Sequence, residues 1–170
     1  MKMNSKKLAL SGILLALALI IGMIENLIPP IIPMLPFVKI GLSNIVIMFC
    51  AIVVGFTPAL IITCFKATLV PLFVGNPMMI AYSLTASLVS LLIVFILLKT
   101  KKIGIPTISL ISAILHNIMQ LIVASIIMES SYVFGFLPYL ILTGFISGFV
   151  TGIITHLLIK FLPKEIVILN

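Results

Sequence analysis

The chain has 170 residues, 63% of them hydrophobic and 8% charged, with a mean hydropathy of +1.48. Soluble domains carry about 25% charged residues, so this composition excludes an ordinary soluble domain and makes the hydrocarbon core of a bilayer the main solvent. The net charge of +7 arises from ten lysines and no arginine against Glu25, Glu129 and Glu165; these lysines flank long apolar runs instead of interleaving with aromatics, a pattern of cytoplasmic flanks and not of a nucleic-acid surface.

A bilayer core of ~30 Å takes about 20 apolar residues per helix. Six segments meet or approach that length: 8–28, 40–56, 58–74, 78–98, 107–128 and 136–162. The fold class this predicts is an all-α integral membrane protein, a single-domain six-transmembrane-helix bundle that crosses the cell membrane repeatedly. The leading MKMNSKK precedes an apolar run too long for a secretory signal, with no small-residue cleavage site after it, so the first span is expected to be retained. On that span Ala9, Gly12 and Ala16 form a smooth face suited to close helix docking, either on another membrane subunit or within the bundle. Glu25 and Asn26 close it.

The connection PPIIPMLPF (29–37) holds four prolines, too many for a helix, and is expected to run extended and stiff over the outer mouth. VKIGLSN (38–44) opens the second span with Lys39, Ser43 and Asn44. A Glu25–Lys39 ion pair is possible there, and so close to the interface it would contribute little stability. Gly55 and Pro58 in VVGFTPAL signal the turn into the third span. Lys66 lies eight residues beyond Pro58, ~12 Å deep at a rise of 1.5 Å per residue. A lysine at that depth costs on the order of 2.5–3.5 kcal/mol on insertion scales, so it calls for a cavity or a partner. VGNPMM (74–79) reads as a tight turn. Cys50 and Cys64 fall inside spans, lack metal-ligand spacing and suggest no disulfide.

In the fifth span, AILHNIMQLIVASIIM (113–128), residues His116, Asn117 and Gln120 stand three and four apart and share one helix face. They lie at a depth similar to that of Lys66, and each needs a hydrogen-bond partner because lipid offers none. Two readings stay open: an interhelical hydrogen-bond cluster, or a polar pocket that holds a ligand. In the last span Gly144, Gly148 and Gly152 recur every four residues, with Ser147 and Thr151 interleaved, a double GxxxG that lets the helix pack closely on a neighbour inside the bundle. His156 reads as an interfacial residue, and the nine methionines as adaptable packing. With the N-terminus inside, Lys2, Lys6, Lys7, Lys99, Lys101, Lys102, Lys160 and Lys164 are cytoplasmic and Lys39 alone is outside, so both termini are expected in the cytoplasm.

No phosphate loop, helically spaced acid pair, His/Cys metal cluster or nucleophile elbow is present. Three glutamates at different ends of the molecule cannot gather a Mg²⁺–diphosphate group. Neither catalysis by this chain alone nor a cofactor or metal site is expected.

The stretches IENLIPPIIPMLPFVKIGLSNIV, FKATLVPLFVG, AYSLTASLVSLL, ISLISAILHNIMQLIVA and LPYLILTGFISGFVTGII, in that order from about residue 8 to 162, resemble the Gx transporter family, also described as heptaprenyl diphosphate synthase component I. Its most specific pieces are Ile24-Glu25 with the proline-rich loop, Lys39-Ile40-Gly41-Leu42-Ser43-Asn44, and His116-Asn117-x-x-Gln120. Lys66 stands where relatives commonly have arginine, which turns a bidentate contact into a point charge. That family is similar to the substrate-binding (S) components of energy-coupling factor importers. The resemblance implies a six-helix subunit that captures a vitamin, flavin, quinone or isoprenoid precursor near the outer face. Candidate ligand contacts are Glu25, Lys39, Asn44, Lys66, His116, Asn117 and Gln120. A membrane coupling subunit and cytoplasmic ATPases would power uptake, with Ala9, Gly12 and Ala16 as the docking face. The alternative name implies an accessory subunit of a prenyl diphosphate synthase, with the polar cluster acting only to join helices. A self-sufficient secondary transporter is a third reading, weakened by the short chain and the lack of a visible inverted repeat.

Overall fold

A computed structural model describes residues 5–29 and 41–162. Those residues are wholly helical: α1 (Ser5–Leu27), α2 (Ser43–Val53), α3 (Phe56–Phe73), α4 (Met79–Thr100), α5 (Ile105–Ile127) and α6 (Leu137–Lys160), with a short 3₁₀ turn (Ser131–Phe136) leading into α6. Five stretches are long and apolar enough to cross a bilayer: α1, α3, α4, α5 and the 3₁₀ turn together with α6.

The exception is α2. A span over 40–56 was expected, but the helix occupies 11 residues, ~16 Å of axial rise and about half a bilayer. Glycines bound it on both sides: Gly41 has φ +81° and Gly55 has φ +124°, conformations that end a right-handed helix and that glycine adopts without a Cβ clash. Pro58 lies inside the first turn of α3 instead of in the break. Proline is tolerated there because the first amides of a helix have no intrahelical acceptor. Gly75 (φ +79°) carries the turn between α3 and α4.

Two apolar clusters show that the helices alternate in direction. One joins Leu10 and Leu14 of α1, Val53 of α2, Phe56 of α3, Leu97 and Leu98 of α4, Ile105 of α5 and Ile159 of α6. The other joins Tyr82 of α4, Leu121 and Ala124 of α5, Val133 and Leu140. Lys6, Lys7, Lys99, Lys101, Lys102 and Lys160 therefore gather at the first end, where Lys99 Nζ lies 4.5 Å over the Phe95 ring. Outward positions such as Leu17, Ile61, Leu92, Phe145 and Phe149 are exposed. So broad an apolar exterior suits lipid and not water.

The α5–α6 contact is the closest in the bundle. A Cβ on Gly148 would stand 2.7 Å from Cα of Leu110, one on Gly152 2.7 Å from Cα of Pro106, and one on Gly144 3.0 Å from Cα of Ile114. Pro106, Leu110 and Ile114 also recur every four residues, so a backbone ridge of α5 lies along the glycine groove of α6. Ser109 Oγ and Thr151 Oγ1 meet across this seam at 3.0 Å. On α1 the inward face is Leu14, Ala18, Gly22 and Glu25, whereas Ala9, Gly12 and Ala16 are exposed. The small-residue face thus takes no part in packing the bundle. Lys39 and the proline-rich stretch from residue 30 onward lie outside the described residues, as do Lys2 and Lys164.

Candidate functional site: a polar cavity inside the bundle

On α5, residues Ser109, Ser112, Ala113, His116, Asn117 and Gln120 follow one another at steps of three and one, the spacing of a single helix face. All six line one cavity of about 100 Å³. The other walls are Gly22, Glu25 and Asn26 from α1, Gly41, Ser43 and Asn44 at the start of α2 with Met48 further along it, Lys66, Val70 and Pro71 from α3, Met79 and Ser83 from α4, and Ser147 and Thr151 from α6. Lys66 is ~15 Å along α3 and His116 ~16 Å along α5, so both stand near mid-helix. Six of the seven residues singled out as ligand contacts (Glu25, Asn44, Lys66, His116, Asn117 and Gln120) line this cavity; the seventh, Lys39, lies outside the described residues.

The position of Glu25 follows from the shortness of α2. That helix begins with no side-chain cap of its own; the Gly41 and Leu42 carbonyls accept from the Asn44 and Ile45 amides of its first turn, and the Gly41 and Leu42 amides just ahead of it need acceptors. Glu25, only 5% exposed, supplies them from α1. Its Oε1 accepts from the Gly41 and Leu42 amides, the latter at 3.2 Å, and its Oε2 accepts from the Ser43 hydroxyl at 3.4 Å. A carboxylate at a helix N-terminus also meets the positive end of the helix dipole. One residue further on, Asn44 Oδ1 accepts from Lys66 Nζ at 3.2 Å. The first turn of α2 therefore links a carboxylate on α1 to an ammonium on α3.

Asn117 has a double position. It lines the cavity, yet its Nδ2 donates to the Leu140 carbonyl of α6 at 2.9 Å and to Thr143 Oγ1 at 3.4 Å. Asn117→Leu should therefore loosen the α5–α6 seam by about 0.6–1.7 kcal/mol, the measured range for such bonds in a membrane bundle. A thermal unfolding midpoint lowered by a few degrees in detergent is the expected reading; an unchanged midpoint removes Asn117 from the packing role.

The His116 ring reaches the main-chain carbonyl of Ala86 on α4 and lies in the field of Lys66. Its Nδ1 is buried without a hydrogen-bond partner among the described residues. Ser109, Ser112 and Ser83 are lining residues that the sequence reading did not single out. The first two stand seven and four residues before His116, so the spacing that joined His116 to Gln120 extends backward to them. Among the described residues no three His, Cys, Asp or Glu side chains gather as a metal site, and Cys50 and Cys64 are free thiols.

The sequence matches, over residues 14–158, the family described as heptaprenyl diphosphate synthase component I. The chain belongs to that family. Among curated proteins none matches it. The component I match runs from the middle of α1 almost to the end of α6, so every lining residue of the cavity lies within the family region.

Proposed function

We propose that this component I chain is a membrane subunit that binds a small molecule inside the bilayer for uptake. One observation carries the reading: a lysine, a histidine, three asparagines, a glutamine and several hydroxyls surround a cavity of about 100 Å³ near mid-helix. A cluster that served only to join helices would pair its groups directly, as Asn117 does with α6, and would not need a cavity among them. Lys66 would meet an anionic or carbonyl-bearing group, while Glu25, Lys39, Asn44, His116, Asn117 and Gln120 would supply hydrogen bonds or orient those that do.

By the positive-inside rule the end of the bundle where the described lysines cluster would face the cytoplasm, and both chain termini would lie on that side. The chain carries no ATP-binding motif, so the energy for uptake would come from partners or an ion gradient. A membrane coupling subunit with cytoplasmic ATPases fits, as in the substrate-binding components of energy-coupling factor importers. The outward face of Ala9, Gly12 and Ala16 is a suitable place for such a coupling subunit. Lys66→Met tests the site: the purified variant should remain folded and lose its bound small molecule in native mass spectrometry, and unchanged retention would remove Lys66 from the site.

The family's description favours a second reading, a non-catalytic accessory subunit in prenyl diphosphate synthesis. The lining has a single carboxylate among the described residues, that of Glu25, and both its oxygens accept hydrogen bonds, one from the Gly41 amide and the other from the Ser43 hydroxyl. This is too little to hold a metal–diphosphate group. That reading requires a synthase subunit to co-purify with an empty cavity, and it makes thermal destabilisation the only consequence of His116→Ala.

A further inference from the structure

Resting on the binding-subunit reading, we infer that the cavity takes an amphipathic molecule: an apolar body that lies on Met48, Val70, Pro71 and Met79, with an N–H or O–H at its edge that donates to Nδ1 of His116. The unlike walls of the cavity and the hydrogen bonds already made in them lead there.

One wall is polar. It is the face of α5 that carries Ser112, His116, Asn117 and Gln120. From α2, α3 and α4 come Met48, Val70, Pro71 and Met79, which offer a ligand aliphatic carbon and thioether sulfur, at best a weak acceptor. Pro71 brings no amide hydrogen either. A polar part of a ligand laid on these four would give up its water and gain little in return, whereas an apolar part is favoured there. The two methionines, unbranched and polarizable, can follow the outline of a ring or a short chain. A pocket of this kind holds its ligand by apolar contact and orients it through a few polar groups.

Several of the polar groups are already engaged. Lys66 Nζ donates to Asn44 Oδ1 at 3.2 Å, Asn117 Nδ2 donates to the Leu140 carbonyl at 2.9 Å, and Ser109 Oγ meets Thr151 Oγ1 at 3.0 Å. Those bonds shape the walls. Nδ1 of His116 differs, being buried without a partner among the described residues, while the ring reaches the carbonyl of Ala86. An imidazole that keeps its proton on the nitrogen meeting Ala86 leaves Nδ1 as an acceptor. A buried acceptor left unmade costs free energy, and a ligand N–H or O–H removes that cost. Ala86 is itself fully buried on α4, so its carbonyl holds the ring in one orientation. His116 thereby becomes the residue that selects ligands by their donor.

The experiment is untargeted mass spectrometry of the small molecules released from the full chain in lipid nanodiscs, beyond those found in protein-free nanodiscs. Wild type is set beside His116→Leu and His116→Asn, with Lys66→Met as the control for the site. Leucine removes the acceptor; asparagine returns an amide oxygen close to where Nδ1 stands. Wild type should release a compound with an apolar ring or chain and an N–H or O–H. The leucine variant should retain about tenfold less of it, as loss of a buried hydrogen bond implies, and the asparagine variant severalfold more than the leucine one. A compound that is polar throughout or lacks a donor overturns the ligand class and leaves the binding-subunit reading standing. Retention by His116→Leu equal to wild type, or an asparagine variant as empty as the leucine one, overturns the role of His116 alone. Size-exclusion profiles identify any variant that fails to fold, and the compound released from wild type decides the ligand class whichever variants fold. If wild type releases nothing that Lys66→Met lacks, the binding-subunit reading falls and this inference with it.

Discussion

Glu25→Ala should lower the thermal midpoint of the purified protein by ~10 °C, because it strips the residues that lead into α2 of their shared acceptor. The Gly41 and Leu42 amides and the Ser43 hydroxyl all donate to this one carboxylate, within a bundle where lipid supplies no substitute. Hydrogen bonds to a charged acceptor contribute about 1.5–3 kcal/mol each, and a buried donor left unmade costs its desolvation as well. Two such bonds give a loss of ~3–5 kcal/mol, and at 2–4 °C per kcal/mol for a chain of this size the shift is of that order. Glu25→Gln keeps an acceptor oxygen without the charge and should lose about half as much. The same substitution should also weaken ligand retention, because Asn44, which holds Lys66, sits on the turn that Glu25 fixes. A midpoint within ~1 °C of wild type would show that cavity water or another group satisfies those amides, and that Glu25 is free to contact a ligand directly.

How much of this was legible in the sequence depended on whether the determinant was local. The long spans α1, α3, α4, α5 and α6 follow from apolar runs of bilayer length, and the face shared by His116, Asn117 and Gln120 follows from spacing alone. The half-length of α2 does not: apart from Ser43, Asn44 and the two glycines, residues 40–56 are apolar, and what starts the helix at Ser43 is a left-handed Gly41 whose amide is held by a carboxylate 16 residues upstream. The depth of Lys66 was readable, but its bond to Asn44 was not, since the two residues meet only when α2 and α3 pack. Serines in an apolar span are easily passed over as small packing residues. Only the helical step from Ser109 and Ser112 to His116 marks them as lining. Small-residue stripes show a further limit: Ala9, Gly12 and Ala16 resemble Gly144, Gly148 and Gly152 in spacing, yet the first set faces outward and the second lies against α5. The pattern states that close approach is possible; the surrounding large residues decide which way it points.

Gly148→Leu should prevent the bundle from assembling, whereas Gly12→Leu should leave its stability unchanged. A Cβ at position 148 would lie 2.7 Å from Leu110 Cα, 2.9 Å from Ala113 Cβ and 3.0 Å from the Ser109 carbonyl oxygen. Two of these three atoms belong to backbone, which cannot swing away as a flexible side-chain tip would. Gly148→Ala already forces the helices apart and should cost about 1–3 kcal/mol, the usual range for overpacking. The three further carbons of leucine have no space between the helices, so the expected result is loss of folded protein from the membrane fraction. Short of that loss, any displacement of α5 moves Ser109, Ser112, His116 and Asn117 together, because all of them ride on the helix that Gly148 touches. The alanine variant should therefore release its ligand as well as melt earlier. At Gly12 a Cβ meets nothing within 4 Å, so Gly12→Leu is a matched change on the outer surface. If it lowers recovery of a membrane coupling subunit without shifting the midpoint, the outward face of α1 is a docking surface; if recovery is unchanged, that assignment fails. Equal folding of Gly148→Leu and wild type would mean that α5 and α6 do not pack backbone to backbone, and the cavity wall described above would have to be redrawn.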